Sequence, residues 1–116
     1  DEGAFRVSVR NAMFARVRLI AEHKWDQLAA LGDHDAESWA DWFAPYFDEY
    51  GTILVTGDAR GPRMFGVFPE DSYWAIRQVI ADPDSDHGWA LEAKVEVPDT
   101  NDDSPPVFTE MTVVAG

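Results

Sequence analysis

The residues whose types and spacing could support proton transfer lie where a polar loop leads into a strand. Asp86 and His87 are adjacent, and Trp89 follows two residues later. A carboxylate beside an imidazole can tune the imidazole as a general base near neutral pH. A loop histidine more commonly bonds to neighbouring backbone groups. The sequence leaves both roles open for this group.

Residues 57–62 (GDARGP) contain two glycines and have some features of a phosphate-binding loop. Such a loop needs a Lys-Ser/Thr ending that opens a helix, because the helix amides hold the phosphates. This segment lacks that ending and precedes a strand pattern. We expect a turn in which Asp58 accepts local hydrogen bonds and Arg60 pairs with a carboxylate. No ATP site and no cofactor are therefore expected in this chain.

Two acidic loops were compared with the calcium-binding loop of EF-hands. Residues 82–86 have the alternating acids, but His87 occupies the position of the required Gly and Ala93 that of the final Glu. The second loop fits the calcium pattern better, with ligand positions at Asp99, Asn101, Asp103 and Glu110. Ser104, however, replaces the Gly that the sharp turn requires. The chain has no Cys, and its three His show no zinc-type spacing. We expect no metal site.

The serines give no nucleophile motif, since none lies in a Gly-x-Ser-x-Gly turn. Activation of a serine requires a nearby base, and nothing in the sequence indicates one. We therefore predict no catalytic residue and expect that this chain is not an enzyme.

Helical periodicity dominates the first half of the chain. Apolar residues recur every three or four positions from residue 4 to residue 31, with a kink or break expected near His23 and a stop at Gly32. Asp33 or Asp35 can cap the next helix, which should end at Gly51. Pro45 predicts a kink or a boundary inside it.

The second helix carries an unusually aromatic face, formed by Trp39, Trp42, Phe43, Tyr46, Phe47 and Tyr50. Most of these side chains belong in a core. Trp and Tyr also carry polar tips and are enriched in pockets and interfaces. Trp39, Trp42 and Tyr46 are therefore candidate contact residues, together with Asp58, Arg60, Asp86, His87 and Trp89.

After Gly51 the period changes to two, which is typical of strands. A short run at 52–55 precedes four longer segments, at 64–68, 73–81, 89–97 and 107–114. In the segment 89–97, Trp89, Leu91, Ala93, Val95 and Val97 should share the buried face. The pattern predicts one α+β domain over residues 1–116, with N-terminal helices packed on one face of a curved antiparallel sheet of about four strands.

The chain is strongly acidic, with 22 acidic and 9 basic residues and a net charge of −13. Such a charge repels phosphate backbones and anionic membranes, so we expect no direct nucleic-acid binding and no membrane partner. Only a local basic patch could reverse this, and the best candidate contains Arg6, Arg10, Arg16 and Arg18. The lack of Cys and of a membrane-length apolar run fits the cytoplasm. Because the chain begins without Met, we expect a fragment of a longer protein or a chain that has been processed.

Five stretches resemble the C-terminal region, of unknown function, of bacterial DEAD/DEAH-box helicases. They are residues 10–14 (RNAMF), 58–62 (DARGP), 79–83 (VIADP), 86–89 (DHGW) and 93–97 (AKVEV), and they occur in order along the chain. The resemblance implies that the fragment follows ATP-dependent helicase lobes. Its partners would be those lobes or another protein. The family supplies no catalytic residue to transfer to this chain.

The order of helices and strands also resembles the nuclear-transport-factor-2-like, or cystatin-like, folds, and residues 24–31 are similar to their early helices. Those folds often enclose a cone-shaped pocket, which implies a possible small-molecule ligand. Here a long second helix stands where they often place an early strand.

Three functions remain open from the sequence. The first is a non-catalytic accessory domain of a helicase that acts through protein contacts. The second is a small-molecule-binding or enzymatic pocket domain that uses the aromatic face with Arg60, Asp86 or His87. The third is an acidic decoy that competes with nucleic acid for the helicase channel.

Overall fold

The computed structural model describes residues 1–99 and 103–116 and confirms an α+β fold. Three helices come first, namely α1 (Glu2–Ala21), α2 (Trp25–Ala29) and α3 (Ala36–Tyr50). Two short 3₁₀ turns, Gly57–Arg60 and Pro62–Met64, lead into the sheet. The strands are β1 (Phe65–Pro69), β2 (Tyr73–Val79), β3 (Trp89–Glu96) and β4 (Phe108–Ala115).

The helix boundaries follow from local side-chain and backbone chemistry. The Asp35 carboxylate accepts a hydrogen bond from the Ser38 amide at 2.7 Å and caps α3. Gly51, with φ of 76°, ends this helix in the left-handed conformation. The expected break near His23 is confirmed, because this residue (φ 55°) separates α1 from α2. Pro45 does not mark a boundary, since α3 continues through it to Tyr50.

The sheet is an open antiparallel meander in the order β1-β2-β3-β4. Ile76, for example, lies between Val67 and Ala93 of the neighbouring strands. A bulge interrupts the β3–β4 register opposite Glu92 and Lys94. The sheet therefore has two edges, formed by β1 and β4.

Helices α1 and α3 cover one face of this sheet. The ring of Phe5 in α1 lies 5.2 Å from that of Trp74 in β2, and the ring of Phe43 in α3 lies 5.7 Å from that of Trp89 in β3. The core between the layers is built from Val9, Met13, Val17, Ile20, Leu28, Trp39, Phe43, Tyr46, Ile76, Ile80, Leu91 and Val95. The opposite face of the sheet carries no helix from the described part of the chain.

Three details of the sequence prediction are wrong. The run at 52–55 forms only a single bridge, between Leu54 and Ala81, instead of a strand. Val97 lies past the end of β3 and is 43% exposed, so it does not share the buried face. Arg16 is buried and pairs with Asp33 at 2.7 Å, so it does not join the exposed arginines of α1.

Candidate interaction surfaces

The loop between β2 and β3 is organised around the buried carboxylate of Asp82, which is 2% exposed. Its Oδ1 accepts hydrogen bonds from the amides of Asp84 (3.0 Å) and Asp86 (2.9 Å), and its Oδ2 accepts one from His87 (2.9 Å). Positive φ angles at Ser85 (58°) and His87 (57°) turn these amides inward. Burial alone would raise the pKa of Asp82, but the backbone hydrogen bonds outweigh it and hold the pKa below its usual value.

In the described structure the side chains of Asp86 and His87 are not hydrogen-bonded to each other, so the general-base pair that the sequence left open does not form. The Asp86 carboxylate instead accepts a hydrogen bond from the hydroxyl of Tyr50, at the end of α3. This bond is the main reason that the pKa of Tyr50 lies well above its usual value. The His87 side chain is exposed, and within residues 1–99 and 103–116 no hydrogen bond joins it to Asp86. The loop therefore presents His87 to solvent on a rigid backbone.

The aromatic side chains of α3 fill the space between the helices and the sheet. Trp39 and Tyr46 are fully buried, and the Tyr46 ring lies 5.5 Å from that of Trp89. The Tyr46 hydroxyl donates to the carbonyl oxygen of Thr52 at 2.7 Å. Trp42 alone of the predicted aromatic candidates is largely open, at 40% exposure. These rings pack as core rather than line a pocket.

His34 is a polar residue of this cluster that the sequence did not single out. Its Nε2 makes a hydrogen bond with the carbonyl oxygen of Met111 in β4, and its ring stands edge-on to Trp42 at 4.6 Å. The bond fixes the start of α3 to the sheet edge. The sequence did contain one indication of this role, since His34 lies directly before the predicted helix cap at Asp35.

Among residues 1–99 and 103–116, Arg60 pairs with no carboxylate, contrary to the prediction. Its guanidinium carbon lies 4.8 Å from the centroid of the Phe14 ring in α1. Asp58 is exposed in the same 3₁₀ turn. The candidates thus separate into two places: the contacts of Arg60 lead to α1, whereas those of Asp86 lead to α3.

The basic residues divide into two groups by their partners. Four of the nine form ion pairs, namely Arg16–Asp33, Lys24–Glu22, Arg77–Glu92 and Lys94–Glu110. The other five lie within 4.0 Å of no carboxylate in the described residues. They are Arg6, Arg10, Arg18, Arg60 and Arg63.

These five exposed arginines lie on one side of α1 and in the turns beside it. Arg6, Arg10 and Phe14 follow one another at intervals of four residues, and Arg18 continues the row, so they form one ridge of the helix. Both Arg18 and Arg60 lie over the Phe14 ring, at 5.5 and 4.8 Å from its centroid. Arg6 lies 6.0 Å from the centroid of Phe65, directly after the turn that carries Arg63. We call this surface the arginine flank.

The uncovered face of the sheet differs from the arginine flank, because its basic side chains form ion pairs with acidic ones. Arg77 pairs with Glu92 across β2 and β3, and Lys94 pairs with Glu110 at 3.0 Å across β3 and β4. Phe68 of β1 is exposed beside them and helps to line a shallow depression. Another recess lies by the start of α1, between Phe5 and Val97.

Metal-binding clusters and membrane-spanning helices are absent from the described residues. In residues 1–99 and 103–116, no three His, Cys, Asp or Glu side chains are grouped to hold a metal ion. Asn101, part of the better calcium-like pattern, lies outside the described residues. No helix in the described part of the chain has the length and apolar character to cross a membrane.

Comparison with protein families gives one match, to the family described as Domain of unknown function (DUF3516), over residues 1–113. The chain belongs to this family. The match runs from α1 into β4, so the DUF3516 domain includes both the Asp82 loop and the arginine flank. No curated protein and no solved structure matches the chain.

Proposed function

We propose that this DUF3516 domain is a non-catalytic accessory domain of an ATP-dependent DEAD/DEAH-box helicase and acts through its surface. In this role the domain requires no cofactor of its own, because ATP would be bound by the helicase lobes of the parent protein. Its partners would be those lobes or another protein in the cytoplasm.

One observation carries the proposal: several polar side chains that could take part in chemistry are used to hold the fold together. The Asp82 carboxylate is occupied by three backbone amides. The Tyr46 hydroxyl bonds to Thr52, and the imidazole of His34 bonds to Met111. Groups committed in this way stabilise a scaffold, and they are poorly placed to transfer protons to a substrate.

The positions of the stretches that resemble helicase C-terminal regions support the proposal further. Phe14 of the first stretch contacts Arg60 of the second. Asp82 of the third accepts hydrogen bonds from Asp86 and His87 of the fourth. The residues behind the resemblance therefore build the turns and loops of one scaffold, which is what a shared accessory domain requires.

Deletion of the domain from the parent protein tests the proposal. We expect the lobes to retain basal ATP hydrolysis, whereas strand unwinding or recovery of a bound partner falls. The matched control restores the purified 116-residue chain in trans. Unwinding and partner recovery that both stay unchanged on deletion would refute the accessory role. So would turnover of a compound by the isolated chain that a single substitution abolishes.

A further inference from the structure

We propose that the arginine flank binds the phosphate backbone of nucleic acid without reading the bases. This goes beyond the accessory role, because it assigns a ligand and a surface to the chain itself. It also reverses the expectation drawn from the net charge. The proposal rests on the five arginines that lack a carboxylate within 4.0 Å among the described residues.

Screening explains how a chain of net charge −13 could bind a polyanion. At physiological ionic strength, exposed charges more than about 8 Å apart interact little. The molecule measures 44 × 28 × 22 Å, so acidic groups on the side away from the flank are largely screened from it. The nearest acids in sequence are Glu2, four residues before Arg6, Glu22, which pairs with Lys24, and Asp58. Local charge therefore decides what the flank attracts.

The geometry of the flank suits a chain of phosphates. Arg6 and Arg18 are separated by about 18 Å along the axis of α1, given the helical rise per residue. Arg10 lies between them, and Arg60 lies beside the ridge on the shared Phe14 ring. Guanidinium groups are planar and can bind phosphate oxygens in pairs. Rings beneath three of them restrict their side chains before any ligand arrives.

The flank fits a phosphate backbone better than an acidic protein surface. Protein interfaces generally have an apolar centre with charges toward the rim. Here the charges lie at the centre, and the rings beneath them are hidden, with Phe14 3% and Phe65 6% exposed. Val7 is the only large apolar side chain that α1 exposes strongly. Buried rings also leave no stacking platform for bases, so binding should be independent of sequence.

Fluorescence anisotropy of the 116-residue chain with a labelled 20-nucleotide poly-uridine RNA tests the proposal. We expect weak binding, with Kd in the range of about 10⁻⁶ to 10⁻⁴ M for non-specific complexes. Five phosphate contacts to a single strand should give a slope of log affinity against log salt of about −3.5. Arg10→Gln/Arg63→Gln removes two arginines that contact no ring, and the slope should become shallower by about 1.4.

The matched control is Arg77→Gln/Lys94→Gln, which removes the same charge from the uncovered sheet face. It should bind with the slope of the unmodified chain, and circular dichroism should show that both variants remain folded. Equal binding by the two variants would overturn the proposal, as would no binding at 50 mM salt up to about 10⁻⁴ M protein. Equal competition by poly-glutamate would also overturn it, because the flank would then recognise carboxylates. The test uses the chain alone, so its failure would leave the accessory role standing.

Discussion

Among individual residues, Asp82 has the greatest structural effect, because one buried carboxylate organises a whole loop. It receives hydrogen bonds from three amides between residues 84 and 87. Charge-assisted bonds of this kind stabilise more than neutral ones do, and they favour the ionised carboxylate. The loop that carries His87 is therefore rigid while Asp82 is ionised.

Replacement of Asp82 by Asn tests this organisation. The amide nitrogen cannot accept a bond from His87, so we expect the free energy of unfolding to fall by about 2 kcal/mol at pH 7. Asp84→Asn, at an exposed position nearby, should change it by less than about 0.5 kcal/mol. Urea denaturation measures both. A loss no larger for Asp82→Asn than for Asp84→Asn would contradict the structural role.

The dependence on pH follows from the lowered pKa of Asp82 in the folded chain. The stability that its ionised form contributes is complete above the unfolded pKa of about 3.9. It is lost as the pH falls through the folded pKa. The difference between the unmodified chain and Asp82→Asn should therefore be constant from pH 5 to 7 and narrow in stronger acid.

Side-chain partners were the hardest feature to predict at this scale. The sequence identified Asp86, His87 and Trp89 as one group, but Asp86 bonds to Tyr50, 36 residues away in the chain. Arg16 was grouped with the exposed arginines, whereas burial beside Asp33 separates it from them. Arg60 contacts Phe14 instead of a carboxylate. Such pairings depend on distant segments meeting, and no local pattern reports that.

Secondary-structure elements were much easier to predict, because periodicity and capping residues act locally. The break between α1 and α2, the cap at Asp35 and the end of α3 at Gly51 all follow from residue types. The run at 52–55 failed as a strand because only Leu54 has a partner, Ala81, which lies two residues past the end of β2. Strand formation needs a neighbour, which the sequence pattern alone does not supply.

Gly51 provides a test of how α3 ends. Its φ of 76° is unfavourable for a side chain, although an added Cβ would meet no atom within 4 Å. Gly51→Ala should therefore lower the free energy of unfolding by about 1 kcal/mol through backbone strain alone. Gly51→Asn should lose less, since Asn tolerates this conformation better. Thermal denaturation that ranks Ala at or above Asn would contradict this reason for the helix end.

For the whole molecule, the distribution of charge matters more than its sum. The composition correctly describes a strongly acidic chain, but it does not show which basic residues have partners. The ion pairs of Arg77 and Lys94 lie on the sheet, apart from the arginine flank, which the packing of residues 57–65 on α1 creates. The sequence identified Arg6, Arg10 and Arg18 of α1 as members of one candidate basic patch. Arg60 and Arg63 join it through the fold.

The most direct test places the flank in its proposed context, the parent helicase. Unwinding rates would be compared for the intact protein, the domain deletion, Arg10→Gln/Arg63→Gln and Arg77→Gln/Lys94→Gln. We predict that the deletion unwinds most slowly, that the flank variant is also slowed, and that the sheet-face variant matches the intact protein. Equal unwinding by all four proteins, together with unchanged recovery of a bound partner, would contradict a domain that acts through its surface.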